Sequence, residues 1–373
     1  MRDGEESACG LTKRGPDDCD KVFPMTEALP RFLRACRKQP VDSTPVWFMR
    51  QAGRYMPEYR AVRARHGILD ICKQPDLAAE LTITAAERLG VDAAIIFGDL
   101  LLPAEPMGMK LRFAAGEGPL LENPLRDQAA IARLRTDGAG ELGFVAEAIR
   151  SVNQHFGGRL PVIGFAGAPF TLASYMVEGG GSRHYLHTKS LLYGAPALWA
   201  ALMEKLCTVL EPYLLAQVDA GAHAVMLFDS WVGCLPLEDY RHFVLPYSRR
   251  LVEAVQQRRV PMIHFGTGTA HLLAAMDDAG ADVLGVDWRL PLARAWEQVN
   301  FRPAIQGNLD PVALFAPLPE LRRRVEEVLA EAAGRPGHIF NLGHGILPDT
   351  PVENVRAVVE MVHEYSSVRR EAS

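Results

Sequence analysis

Two arginines four residues apart, Arg50 and Arg54, close the apolar run Val46-Trp47-Phe48-Met49 at a turn marked by Gly53. A guanidinium is always charged and offers a planar fork of donors, so the pair can grip carboxylates or phosphates with defined geometry. The plainer alternative is a solvated surface ion pair. Asp99 is the second candidate, preceded by Ile95, Ile96 and Phe97 and followed by Leu100, Leu101, Leu102 and Pro103. A carboxylate in such company is expensive to desolvate. The two-residue period of a strand puts it on one face with Ile95 and Phe97, above an apolar wall that suits a flat ligand bearing N–H donors. Its alternatives are a cap on the next helix or a partner for a buried arginine. His344 stands in Asn341-Leu-Gly-His-Gly345, where flanking glycines let the backbone approach a ligand. Its imidazole can bind a carboxylate or move a proton near neutral pH, or be structural.

Other signals are weaker. Gly179-Gly-Gly-Ser182 lacks the Gly-Lys-Ser/Thr that completes a phosphate-binding P-loop. Gly266-Thr-Gly-Thr-Ala-His271 resembles the start of a dinucleotide fingerprint, but Ala270 comes one residue early. Backbone amides there could still hold an anion. The six cysteines, Cys9, Cys19, Cys36, Cys72, Cys207 and Cys234, contain no Cys-x-x-Cys, which argues against a zinc ribbon, a redox motif or a secreted disulfide framework.

Apolar, β-branched or aromatic runs recur at 45–50, 92–98, 161–167, 223–229, 261–266, 282–288, 303–308 and 338–344. Segments of helical character separate them: Pro75–Leu89, Leu142–His155, Ala197–Asp219, Leu237–Gln256, Thr269–Ala279, Leu292–Val299, Glu320–Ala333 and Val352–Tyr365. Continuous apolar strands alternating with helices imply a parallel sheet covered by helices. Eight such pairs predict an α/β fold, a single (β/α)8 TIM barrel, with a doubly wound open sheet as the alternative. In a barrel the active-site cleft lies at the C-terminal ends of the strands. Arg50, Asp99, Asp229 with Ser230, and His344 all fall at such ends, so polar groups are expected to collect at one rim.

At 373 residues, 48% hydrophobic and 23% charged, the chain can bury a large core. A net charge of -5, with bases and acids interspersed, shows no nucleic-acid-binding stripe, and an anionic small molecule fits better. The uncharged run Leu160–Val177 reaches membrane-spanning length, but prolines and glycines break it into strand, loop and helix start. The first 22 residues are polar and carry no signal-peptide core, so a disordered tail is expected over 1–22 and one domain over 23–373, in a cytoplasmic protein.

Five segments closely resemble the uroporphyrinogen decarboxylase family: Phe-Met-Arg-Gln-Ala-Gly-Arg-Tyr-Met-Pro-Glu-Tyr (48–59), Ile-Ile-Phe-Gly-Asp-Leu-Leu (95–101), Gly-Ala-Pro-Phe-Thr-Leu (167–172), Gln-Gly-Asn-Leu-Asp-Pro (306–311) and Asn-Leu-Gly-His-Gly-Ile (341–346). The likeness runs from Phe23 to Tyr365. It implies a homodimeric (β/α)8 barrel that removes CO₂ from the acetate groups of uroporphyrinogen III to give coproporphyrinogen III, without cofactor or metal. By the same resemblance Asp99, Arg50 and Arg54 are catalytic, and Gln51, Ala52, Phe97, Tyr175, Phe228, Ser230 and His344 join them in binding substrate. Gly98 departs from a frequent serine, and Asp229 stands where an acid or amide varies. The rival on the same fold, a cobalamin-linked methyltransferase, would need a zinc-binding thiolate cluster, and no cysteine stands beside His264. A silent tetrapyrrole carrier would keep the apolar wall and lose the polar rim.

Overall fold

A computed structural model describes residues 29–114 and 118–371, so the expected 1–22 tail, with Cys9 and Cys19, lies outside the described residues. The chain is built on a parallel sheet of seven strands: β1 (Ala94–Ile95), β4 (Val162–Gly167), β5 (Ala224–Asp229), β6 (Met262–Gly266), β7 (Val283–Gly285), β8 (Ala304–Leu309) and β9 (His338–Leu342), hydrogen-bonded in that order. An antiparallel hairpin, β2 (Leu111–Ala114) and β3 (Gly118–Leu121), stands apart from it. Strands β4, β5, β6, β8 and β9 are buried at every position, which is why they read as unbroken apolar runs without alternation. Each parallel step needs a crossover, and the helices between strands supply it. No described helix is long and apolar enough to cross a membrane.

The helix over Pro75–Leu89 has the bounds its sequence predicts, because Pro75 opens it and Gly90, at φ 70°, ends it. The helix expected over Leu237–Gln256 is broken at Val244 into Leu237–Phe243 and Leu245–Gln256. Pro246 lacks an N–H and crowds the preceding turn, so it can only sit at a helix start. Thr269–Ala279 shrinks to Leu273–Asp277, and the strand expected at 282–288 to Val283–Gly285. The hairpin and the helices at Arg31–Cys36, Pro57–Arg63, Ile68–Cys72 and Leu186–Gly194 have no counterpart in the sequence reading.

The eighth strand, expected at 45–50, is present only in part. It forms only one parallel bridge, Val46 to Phe340, and the sheet has seven strands rather than eight. Three of its N–H groups are satisfied by side chains instead. Asp92 Oδ2 accepts from Val46 N–H at 2.8 Å, Gln51 Oε1 from Phe48 N–H at 3.2 Å, and Asn341 Oδ1 from Met49 N–H at 3.2 Å. The main chain adds Phe340 N–H to the Pro45 carbonyl and Asp92 N–H to the Val46 carbonyl, both at 2.8 Å. Asp92 also receives His363 Nε2 at 2.7 Å and Arg31 at 3.2 Å, joining both ends of the described chain to this segment.

A second substitution opens the sheet beside Asp99. Ladder bonds join Ala94 N–H to the Pro161 carbonyl and Ile96 N–H to the Ile163 carbonyl, at 2.9 and 3.0 Å. The next would join Gly98 to Phe165. Instead the Gln217 side chain takes both polar groups of Phe165, at 2.8 and 2.9 Å, and the Thr82 hydroxyl accepts Phe97 N–H at 2.9 Å. The chain after Ile95 is thereby free to leave the ladder. Replacing Gln217 with Leu strips a buried N–H and a buried C=O of their partners, which should cost roughly 2–6 kcal/mol at about 1–3 per group. Urea unfolding of Gln217→Leu measures it, and a loss below about 1 kcal/mol would contradict the assignment.

Candidate active site

Where β1 parts from β4, a cleft of about 230 Å³ opens at the C-terminal ends of the strands. Phe165, Phe228 and Phe265 from three successive strands line one side of it, in edge-to-face pairs with centroids 5.6 and 6.0 Å apart. Ile95, Ile96 and Phe97 line it beside Asp99, so the acid does stand against an apolar wall. Arg50, Gln51, Ala52, Tyr175, Ser230 and His344 are also on the lining. Arg54 is not. It lines a neighbouring surface depression with Tyr59, Arg60, Arg63, Asp349 and Thr350, so the two arginines that the sequence groups face separate hollows. The Arg60 guanidinium is already engaged there, donating to the Arg54 and Tyr55 carbonyls at 3.0 and 2.9 Å.

The turn that delivers Arg50 is tightly held. Arg50 has φ 59°, a left-handed conformation that costs a non-glycine residue free energy and persists only where its surroundings impose it. Those surroundings are the Met49 N–H on Asn341, the Ile346 N–H on the Met49 carbonyl at 3.0 Å, and the Tyr55 hydroxyl on the Gln51 carbonyl at 2.6 Å. Gln51 therefore works mainly behind the cleft wall, with its amide on Phe48 and on the Ala93 carbonyl. The glycines around His344 make room for their neighbours. A Cβ on Gly345 would stand 2.4 Å from Arg50 Cδ, and one on Gly343 would stand 2.3 Å from Trp288 N.

Asp99 Oδ1 accepts Leu101 N–H at 2.9 Å, closing a turn ahead of the short helical segment Leu102–Ala104, whose own start has no side-chain cap, so Asp99 lines the cleft without capping a helix. Burial pushes its carboxyl up to about 6, against the opposing pull of the Leu101 N–H and the Arg50 charge. His344 moves the other way: burial, then the positive charges of Arg50 and Arg289, bring it down to about 4. Its Nδ1 accepts Gly345 N–H at 2.6 Å, so at neutral pH it is an uncharged ring with its proton on Nε2. Near pH 7 His344 therefore offers a neutral donor. Burial, then the nearby Asp99 carboxylate, push the Tyr175 hydroxyl up to about 12, so it too stays protonated.

Several residues of the site carried no sequence signal. Trp231 stacks on Tyr175 with centroids 3.7 Å apart, and Tyr185 meets its edge at 5.3 Å. Asp287, after β7, is buried and accepts the amides of Gly268 and Arg289 as well as the Arg289 guanidinium. The Gly266–His271 amides proposed for an outside anion are therefore partly spent on the protein's own carboxylate. The Gly179–Ser182 loop packs on the hairpin, where the Gly179 carbonyl accepts Leu121 N–H at 2.8 Å. Asp229 is fully buried and bonds Thr171, away from the rim where its position had placed it. Among the described residues no group of three His, Cys, Asp or Glu side chains could hold a metal ion.

Residues 27–365 match the family model described as uroporphyrinogen decarboxylase (URO-D). A uroporphyrinogen decarboxylase of Koribacter versatilis is 62% identical over 337 residues, 90% of this chain and 96% of that protein. One of Solibacter usitatus is 57% identical over 345 residues, covering 92% and 99%. Among solved structures, a methyltransferase from Methanosarcina mazei superposes with a TM-score of 0.74 at 23% identity, over 90% of this chain and 98% of that one. A B12-independent methionine synthase from Shewanella sp. W3-18-1 gives 0.55 at 8% identity, over 82% and 90%. At these identities the two structures attest the fold alone.

The raised carboxyl of Asp99 has a signed consequence for stability. A folded-state value near 6 against an ordinary 3.8 means the folded protein holds that proton more tightly. The stabilisation is complete below about pH 4 and is lost as pH rises to about 6, leaving a penalty above that. Asp99→Asn keeps an acceptor for Leu101 and removes the charge. It should melt higher than the parent at pH 7–8, with the gap closing toward pH 4. Thermal melts across that range decide it, and a gap independent of pH would contradict the titration.

Proposed function

The chain belongs to the uroporphyrinogen decarboxylase family, and on that premise we propose that this cleft grips uroporphyrinogen through its pyrrole N–H groups and its carboxylates while acetate carboxyls leave as CO₂. The protein is a carboxy-lyase of tetrapyrrole biosynthesis. The observation that carries the proposed site is one carboxylate, Asp99, facing a phenylalanine-lined cleft with a guanidinium beside it.

Each acetate hangs on a pyrrole. Protonating the adjacent ring carbon makes the ring an iminium-like acceptor for the electron pair released when the C–C bond to CO₂ breaks; the exocyclic CH₂ that remains takes a proton to become methyl and the ring carbon gives back the one it took, so one proton replaces each CO₂. The substrate is its own electron sink, a task that pyridoxal or thiamine often performs, so no cofactor enters. Asp99 as carboxylate accepts the pyrrole N–H groups and stabilises the cationic ring from a low-dielectric site. Arg50 binds the reacting carboxylate. Arginine is too weak an acid to be the simple proton source. Arg54, on the adjacent hollow, meets a carboxylate at the substrate's periphery. Ser230, Tyr175 and neutral His344 donate hydrogen bonds to further carboxylates, with Phe97, Phe228 and the Gln51-Ala52 backbone against the macrocycle. The cleft is smaller than the ~300–1,000 Å³ usual for small-molecule sites, so part of the ring lies over the mouth.

The same reading extends to a closed (β/α)8 barrel in which residues 45–49 are the first stave, supported by their bonds to Phe340 on one side and Asp92 on the other. It also extends to a homodimer working in the cytoplasm, which sedimentation of the purified protein tests.

Anaerobic incubation with uroporphyrinogen and no added cofactor should yield CO₂ and coproporphyrinogen; tight binding without turnover would favour a carrier. If the Asp99 carboxylate is the competent form, kcat/KM rises as pH passes through about 6 and that limb vanishes in Asp99→Asn, whose turnover should collapse. Near-normal turnover in that variant would remove the electrostatic role. Gly345→Ala, which pushes Arg50 aside, should lower kcat/KM by about 10–100-fold at unchanged circular dichroism. Parental kinetics there would free Arg50 from the mechanism.

A further inference from the structure

One fully buried acid lies just behind the cleft without touching it. Strand β5 alternates, so Phe228 and Ser230 face the cleft while Asp229 between them points toward the helix Pro169–Glu178. Asp229 has no solvent exposure, and Oδ1 accepts the Thr171 hydroxyl at 2.8 Å. Oδ2 has no hydrogen-bond partner among the described residues, and His264 Nε2 stands 3.8 Å from it, beyond bonding distance. Burying a carboxyl group with one short bond is costly, and an apolar side chain would pack the position with less penalty.

What that bond achieves is direction. A hydroxyl has one proton, and Thr171 commits it to the Asp229 oxygen. The lone pairs of Thr171 Oγ1 are then presented to the backbone N–H of Trp231, at 3.3 Å. The carbonyl of the same peptide unit belongs to Ser230 and accepts the Thr267 hydroxyl. Both polar groups of the Ser230–Trp231 peptide unit are thus held by threonines, one from the helix after β4 and one from the loop after β6. That peptide unit carries Ser230 on the cleft lining and the Trp231 ring stacked on Tyr175.

We propose that Asp229 is a positioning residue for the Ser230 and Tyr175 side of the cleft, acting through the Thr171 hydroxyl on the Ser230–Trp231 peptide unit. The proposal rests on the reading of Ser230 and Tyr175 as substrate contacts. Thr171→Val keeps the side chain's shape and removes the oxygen, so both bonds go together. It raises KM for uroporphyrinogen about tenfold and changes kcat by no more than about threefold, the scale of one hydrogen bond's net contribution. Thr171→Ser and Asp229→Asn, which keep the hydroxyl and its acceptor, stay within about threefold of the parent. On a Ser230→Ala, Tyr175→Phe background, Thr171→Val has no further effect on KM, because the groups it places are gone.

Parental kinetics in Thr171→Val, failure of Thr171→Ser to restore them, or a full tenfold loss persisting in the Ser230→Ala, Tyr175→Phe enzyme would each overturn the relay. If Thr171→Val does not fold, Thr171→Ala is measured in its place against the same outcomes. A Ser230→Ala, Tyr175→Phe enzyme that behaves as the parent overturns the reading underneath and marks that as the part that failed.

Discussion

A backbone that leaves a parallel sheet must still satisfy its buried N–H and C=O groups, and this requirement shapes the end of the molecule where the cleft opens. At two places side chains take over where a neighbouring strand would have bonded. Gln51, Asn341 and Asp92 do so around residues 46–49, and Gln217 with Thr82 does so between Phe97 and Phe165. The opening that results is the cleft. Without those amides, hydroxyl and carboxylate, its walls would either close into a continuous ladder or strand polar groups in the core.

The charges inside the opening are few and arranged with economy. Asp99 and Arg50 are of opposite sign and moderate each other, while His344 and Tyr175 remain uncharged donors at neutral pH. On the proposed reading an anion with several carboxylates would meet donors on most sides of the cleft, Arg50 within it and Arg54 at its edge, while the Asp99 carboxylate would accept N–H groups. The left-handed turn at Arg50 fixes that cation from the backbone, and the bare Cα of Gly345 leaves room for its stem. Position is decided by main-chain geometry rather than by a web of ion pairs.

Much of this was legible from residue order, for identifiable reasons. Strands buried on both faces announce themselves as apolar runs, and a helix bounded by Pro75 and Gly90 could hardly be misplaced. The Asp99 environment was visible because its apolar neighbours are adjacent in sequence. Residues 45–50 read as a full strand but show a single bridge, because three of their N–H groups are taken by side chains, two of them from Asp92 and Asn341, which local periodicity does not see. Arg54 lines a different hollow from Arg50 because the turn between them changes direction within four residues, which spacing alone does not reveal. Asp229 is the instructive case: the alternation that puts Phe228 and Ser230 in the cleft also turns Asp229 away from it. The stack of Trp231 on Tyr175 joins the loop after β5 to the helix after β4 and left no local trace.

The hydrogen-bonding stand-ins have an evolutionary corollary. Strand spacing in a ladder is a constant of the peptide group, near 4.8 Å, and selection cannot adjust it. The gap bridged by Gln217 depends instead on the length of one side chain rooted in a helix, and a shorter or longer polar residue there would reset it. Relatives of this chain can therefore vary the aperture available to a ligand without altering any residue that touches it.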